Sequence, residues 1–257
     1  MVVLLAESKT MSSAQREIDY ETFIRNKPAL EELADDSMNF ISSLSTIDIS
    51  NILGISNQLA SKVATLAYDF PNKSIGYKTL YAFTGEAYRA LQSSTLSNVA
   101  KEKAANDLRI ISSLYGFLTP ENIIKPYRLE FNKNCAPGNL NMAKFLKPKV
   151  TVEFVRYLKE THQNEIINLL PADADLCMDW KIIKAFAKVY KVCFKEIAPG
   201  GTFKTPLAKK LKESRGLMCR EILENNINSF NQLITFESAY FHFFKEASKT
   251  GLPVFLV

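Results

Sequence analysis

Five consecutive apolar residues, Val2–Ala6, are followed at once by Glu7, Ser8 and Lys9. A run this short, apolar without alternation, predicts a strand buried on both faces. Over residues 14–45 the apolar positions instead recur at helical spacing among acids, and helices are predicted to continue to about Tyr68. Two further apolar or β-branched runs, residues 108–114 and 165–170, read as core strands, with a helix predicted between them over 150–162. Residues 189–197, the turn Pro199-Gly200-Gly201 and residues 202–204 predict a hairpin, and 252–257 a last strand. Strands separated by helices place the chain in the α/β class (mixed α+β), with a mixed β-sheet surrounded by helices. No repeat, low-complexity tract or linker longer than residues 135–139 divides it, so residues 1–257 read as a single compact domain.

Composition narrows the setting. At 47% hydrophobic over 257 residues the chain can fill a real core. Its four cysteines, Cys135, Cys177, Cys193 and Cys219, are far apart and form no C-x-x-C pair, so neither a disulfide framework nor a zinc knuckle is expected and a reducing cytoplasm fits. The apolar start lacks a basic flank and meets charge too early for a signal peptide, and no run approaches the roughly 20 apolar residues of a membrane span. The net charge of +5 is unevenly spread: residues 181–220 hold eleven Lys or Arg against two acids, which leaves the rest of the chain net negative. That basic C-terminal region, about 181–225, reads either as a field for polyanions such as nucleic acid or as a solvated lysine-rich face.

Within residues 45–68, Leu53-Gly54-Ile55-Ser56-Asn57-Gln58-Leu59-Ala60-Ser61-Lys62-Val63 resembles a helix-hairpin-helix motif. Gly54 suits the positive φ of the turn, Ile55 would plug the gap between the helices, and Ser56 or Asn57 would cap the second helix. Its first-turn N–H groups would meet phosphate oxygens without reading bases, with Lys62 and Lys73 as nearby cations. Ser56 stands where such motifs carry a second glycine, and an ordinary helical hairpin with Gly54 as a stop signal is the other reading.

Longer segments carry a family resemblance. They are Leu114-Tyr115-Gly116-Phe117-Leu118-Thr119-Pro120 continuing to Pro126-Tyr127-Arg128-Leu129-Glu130, and Arg215-Gly216-Leu217-Met218-Cys219-Arg220 with Ile222, Glu224 and Asn225. With Ala82-Phe83-Thr84-Gly85-Glu86-Ala87-Tyr88, Ile167-Asn168-Leu169 and Lys9-Thr10 after the first strand, they resemble the bacterial peroxide stress protein YaaA family over nearly the whole chain. The resemblance implies a compact α/β fold containing a helix-hairpin-helix, double-stranded DNA binding through a basic cleft, and a role in surviving hydrogen peroxide by restraining free iron. The chain departs from the family pattern at three places. S-P-A-K after the first strand is Ala6-Glu7-Ser8-Lys9, A-S-x-E-Y is Leu170-Pro171-Ala172-Asp173-Ala174, and F-W is Phe145-Leu146.

Read physically, Thr205-Pro206 predicts the start of a helix whose Leu207, Leu211, Met218 and Ile222 face the core. Lys209, Lys212, Gly216 and Arg220 then share the opposite face, where a glycine would let a ligand or backbone come close; a lysine-rich polar face is the plain alternative. Arg215 borders the apolar stripe, so its charge needs a carboxylate such as Glu86 or Glu130, or a ligand phosphate. The strand before Gly116 would deliver Tyr115 and Gly116 to an exposed turn, and residues 127–130 would extend with alternating sides. Tyr127 and Arg128 suit stacking on an unpaired base, or a sheet-edge tyrosine and an ordinary ion pair. Lys9, Glu86, Tyr88, Asn168 and Asp173 fall near strand ends, where α/β proteins build sites.

No G-x-S-x-G elbow, Walker loop or Rossmann fingerprint is present, and His162 and His242 lack metal-ligand spacing, so no metal or cofactor is expected. The partner expected is double-stranded or distorted DNA, contacted by Gly54, Ile55, Ser56, Asn57, Lys62, Lys209, Lys212, Gly216 and Arg220. An enzyme acting on a nucleobase or nucleotide in the same cleft is the alternative.

Overall fold

The computed structural model describes residues 1–12, 16–72 and 75–257. Lys73 and the first two residues of the predicted helical stretch lie outside them. The first half of the chain runs β1 (Val2–Ala6), β2 (Arg16–Glu17), α1 (Tyr20–Arg25), α2 (Glu31–Ser42), α3 (Thr46–Leu53), α4 (Asn57–Tyr68), β3 (Ile75–Lys78), α5 (Thr79–Ala82), α6 (Glu86–Leu91), α7 (Asn98–Asp107), β4 (Leu108–Ser112), β5 (Gly116–Leu118) and β6 (Ile123–Ile124). The second half continues with α8 (Met142–Thr161), β7 (Glu165–Asn168), α9 (Ala172–Asp175), α10 (Trp180–Ile183), β8 (Lys188–Lys191), β9 (Cys193–Ile197), β10 (Phe203–Lys204), α11 (Ala208–Glu224), α12 (Phe230–Thr235), β11 (His242–Phe243) and β12 (Val254–Leu256).

The central sheet has the order β5-β4-β1-β7-β8. β1 lies parallel to β4 on one side, with Val3 opposite Leu108, and parallel to β7 on the other, with Val2 opposite Ile166. Every residue of β1 and β4 is buried, as continuous apolar runs in a covered parallel sheet require. The one charged intruder, Arg109, is stacked on the Tyr157 ring at 4.1 Å and donates to the carbonyls of Ala105 and Leu108. A second sheet, β10-β9-β12-β11, and a small one, β2-β3-β6, complete the mixed α/β architecture.

Four expectations from the sequence are corrected. The predicted helical stretch 14–45 is broken into β2, α1 and α2, with Pro28 in the turn between the helices. The helix predicted from Val150 begins at Met142, because Asn141 caps it through Lys144 N–H at 3.2 Å and buried Met142, Ala143 and Leu146 outweigh the one hydrogen bond Pro148 removes. The single strand predicted over 189–197 is two: β8 pairs with β7, and beyond Val192 β9 pairs with β12 in the second sheet. Helix α11 is capped by Leu207, not Thr205, and Leu207 is 81% exposed instead of facing the core.

Candidate functional site

The chain passes from β1 to β4 on one side of β1 and later to β7 on the other, so the ends of these parallel strands diverge beside β1. Such a switch point at the carboxyl ends is where α/β sheets place ligands. A cleft of about 370 Å³ opens there. It takes Leu5 to Thr10 from the end of β1, Gly85 to Ala87 and Arg89 from the start of α6, Leu129 to Phe131, Pro171 and Asp173 after β7, and Lys212 and Arg215 from α11.

Its floor is a hydrogen-bonded chain ending on Glu7. Ser112 Oγ accepts from Leu114 N at 3.1 Å and Tyr115 N at 3.0 Å, so its lone pairs are engaged and its proton goes to Tyr127 Oη at 2.6 Å. The Tyr127 hydroxyl in turn donates to Glu7 Oε2, which also accepts from Ser113 N at 2.9 Å. Burial pushes the Glu7 carboxyl up to about 7, against the hydrogen bonds from Ser113 and Tyr127 that favour its charged form. A carboxyl in that range exchanges protons near neutrality.

The walls pair off. Lys9 Nζ meets Glu130 Oε2 at 2.8 Å, and Arg89 meets Glu86 at 3.3 Å on its own helix. Arg215 lines the cleft half-buried and has no hydrogen bond or ion pair among the described residues. Burial lowers its guanidinium from the ordinary value, with the charge of Asp173 acting the other way. The lining therefore carries four basic and four acidic side chains, a mixed cleft in which Lys212 and Arg215 are the cations without an ion-pair partner among the described residues.

The loop after β1 is held tightly. Ser8 Oγ donates to Thr10 O at 2.6 Å and accepts from Gly85 N at 3.0 Å, and a Cβ on Gly85 would lie 2.6 Å from that of Ser8. Tyr88 secures the strand end by donating to Ala6 O at 2.9 Å.

The structure thus brings Lys9, Glu86, Glu130 and Arg215 together in the cleft, with Tyr127 and Tyr88 beneath it. Arg128 donates to Lys9 O at 3.0 Å, while its Nε is buried without an acceptor among the described residues. Tyr115 and Gly116 are buried rather than at an exposed turn: Tyr115 accepts from Lys125 N at 2.9 Å, and Gly116, at φ 65°, would put a Cβ 2.7 Å from Val150. Asn168 is likewise buried, donating to Asp175 at 2.8 Å and accepting from Leu170 N. Glu7 was missed, although its place one residue past a buried parallel strand was the available signal.

The basic face expected on α11 is also rearranged. Gly216 is buried, and a Cβ there would fall 1.9 Å from the Ala87 carbonyl oxygen, so the glycine lets α11 and α6 touch. Arg220 closes the end of α6, donating to the carbonyls of Leu91 and Gln92 and to Thr95 Oγ1, and pairing with Glu224 at 3.2 Å. Lys212 joins the cleft, and Lys209 stays exposed beside Glu213 at 3.8 Å.

At the other candidate surface Gly54 ends α3 at φ 65° and ψ 45°, its N–H bonded to Ser50 O at 2.8 Å. Ser56 takes an extended conformation, not a left-handed one, and caps α4 through Leu59 N at 3.3 Å. Ile55 is half-buried, and Asn57 and Lys62 are exposed. Lys133 lies over the turn, its Nζ 3.1 Å from where a Gly54 Cβ would be. Among the described residues no group of His, Cys, Asp and Glu is placed to hold a metal, and no helix is long and apolar enough to cross a membrane.

Fold and site together define an α/β protein with a mixed-charge cleft at the switch point of its parallel strands. The chain belongs to the family described as peroxide stress protein YaaA, whose model matches residues 1–247. It is 28% identical over 259 residues to a UPF0246 protein of Francisella tularensis subsp. novicida (strain U112), covering 99% of each chain. It is 29% identical over 264 residues to a UPF0246 protein of Shewanella sediminis (strain HAW-EB3), covering 99% of this chain and 98% of the relative.

Proposed function

We propose that this member of the peroxide stress family works in the cytoplasm by binding DNA, with the cleft holding a nucleotide that has left the stack. The carrying observation is Arg215, a half-buried guanidinium in an open cleft with no anion paired to it among the described residues. A desolvated arginine left without a partner suits a phosphate, which its planar fork can grip with two hydrogen bonds. Lys212 adds a second cation on the same helix face.

The Gly54 turn supplies the other contact. In the helix-hairpin-helix reading, the first-turn N–H groups of α4 take backbone phosphates, supported by Lys62 and Lys133. Glu130 lines the cleft and Lys133 covers the turn. Three residues of chain span at most about 11 Å, close enough for one strand of DNA to touch both.

Binding of this kind releases counterions, so duplex affinity falls with salt by a log–log slope of about −0.9 per phosphate engaged. Fluorescence anisotropy at several salt concentrations measures it. Arg215→Ala and Lys212→Ala, shown folded by circular dichroism, each flatten the slope by about 0.9. An affinity indifferent to salt contradicts the reading.

The alternative, chemistry on a nucleobase or nucleotide in the cleft, is favoured by one observation: Glu7, a carboxyl near 7 on the cleft floor, stands beside the place where the nucleotide would sit.

A further inference from the structure

Glu7 has no task in holding DNA phosphates, and a carboxylate at the floor of an anion site opposes such binding. Resting on the cleft's reading as a nucleotide site, we infer that it takes a single phosphate-bearing nucleotide, free or extruded, and that a proton enters at Glu7 as the nucleotide binds. The cleft, about 370 Å³, lies within the roughly 300–1,000 Å³ of small-molecule sites. Arg215 and Lys212 face it from α11 as cations unpaired among the described residues, and Glu7 faces it from the end of β1.

The surroundings leave Glu7 as the group that responds. Tyr88, Tyr127, Cys135 and Cys177 all feel its charge, and each is pushed upward by burial, so all four stay neutral when Glu7 titrates. Lys9 and Glu86 face the cleft already engaged, with Glu130 and Arg89. Asp173 lies toward Arg215, whose guanidinium it stabilises.

An entering phosphate brings about −1.5 to −2 charges. Its field raises the proton affinity of a carboxyl that burial has already brought to about 7. The proton comes from solvent to the Glu7 carboxylate, no bond in the nucleotide changes, and the neutral acid gains a hydrogen to donate to the ligand. Because the bound form holds its proton more tightly, binding is strongest below neutrality and weakens as pH rises through the free value.

Titration calorimetry of the full chain with deoxyadenosine monophosphate, and with inorganic phosphate as the head group alone, tests this in buffers of different ionisation enthalpy. The expected result is uptake of a fraction of a proton per nucleotide near neutrality. Affinity should weaken about fivefold to tenfold between about pH 6 and 8 relative to Glu7→Gln, a change of two pH units across one titrating group. The phosphate's own ionisation is common to both proteins and cancels in that comparison. Tyr127→Phe, which removes one hydrogen bond favouring the carboxylate, moves the midpoint upward. Arg215→Ala abolishes binding of both probes. Uptake that persists in folded Glu7→Gln, binding without uptake, or no binding of either probe overturns the inference. The last outcome leaves DNA binding standing if the salt slope is present.

Discussion

The turn at Gly54 is made within residues 46–68, from two short helices and a cap, whereas the cleft draws on five segments spread from Leu5 to Arg215. The turn needs only local chemistry: a positive φ, a serine cap and a half-buried isoleucine. The cleft exists because parallel strands on both sides of β1 deliver distant loops to one edge, and because Gly216 lets α11 lie against α6. A local device tolerates damage elsewhere, while an assembled one fails with any of its supports.

The largest effect should come from breaking the cleft's support. Gly216→Ala would force a methyl into the Ala87 carbonyl at 1.9 Å. Separation of α11 from α6 should then cost about 3 kcal/mol or more, measured by denaturant unfolding. The Gly54 turn, lacking that dependence, should keep its helices in partly unfolding conditions where the cleft is lost.

Next comes the cost of the cleft's floor. The folded Glu7 carboxyl sits at about 7 against an ordinary 4.5. Its protonated form therefore favours folding below about pH 4.5, and that contribution is lost as pH rises through about 7. Glu7→Gln removes the loss, so the variant should be more stable than wild type by about 1–3 kcal/mol at pH 8, the gap closing toward pH 5. Thermal unfolding across that range checks it.

Gly54→Val acts on the turn alone. A β-branched residue at φ 65° costs roughly 1–2 kcal/mol of stability and should weaken duplex binding while leaving any preference for unpaired DNA intact. Unchanged duplex affinity in the folded variant would make the turn purely structural. The smallest effect is expected at Lys209, exposed and facing Glu213 at 3.8 Å. Lys209→Ala should change stability by less than about 0.5 kcal/mol, and a flattened salt slope would bring α11's outer face into the contact.

How much of this was legible follows the same division. The buried strands β1, β4 and β7 and the Gly54 turn were readable because each is set by a short run of side chains. Lys9, Glu86, Glu130 and Arg215 were placed at the cleft by strand-end position and by family pattern. Gly216 does let a backbone come close, that of Ala87, but Arg220 was misread as part of an open basic face because a helical wheel shows which residues share a face, not what packs against it: α6 covers that face. Tyr115 and Gly116 were expected in the open, but α8 begins eight residues earlier than its sequence suggested and its Val150 packs on Gly116. Glu7 escaped notice because its burial and its hydrogen bonds to Ser113 and Tyr127 come from segments more than a hundred residues away.

The central claim, that the cleft holds a nucleotide freed from the stack, is tested most directly by competition between intact duplex and the same sequence carrying an unpaired bubble. A site that receives an unstacked nucleotide avoids the few kcal/mol needed to extract a paired one. The account predicts at least tenfold tighter binding to the bubble, with the preference abolished by Arg215→Ala and retained in Gly54→Val. Equal affinity for the two DNAs in the wild-type protein would contradict it.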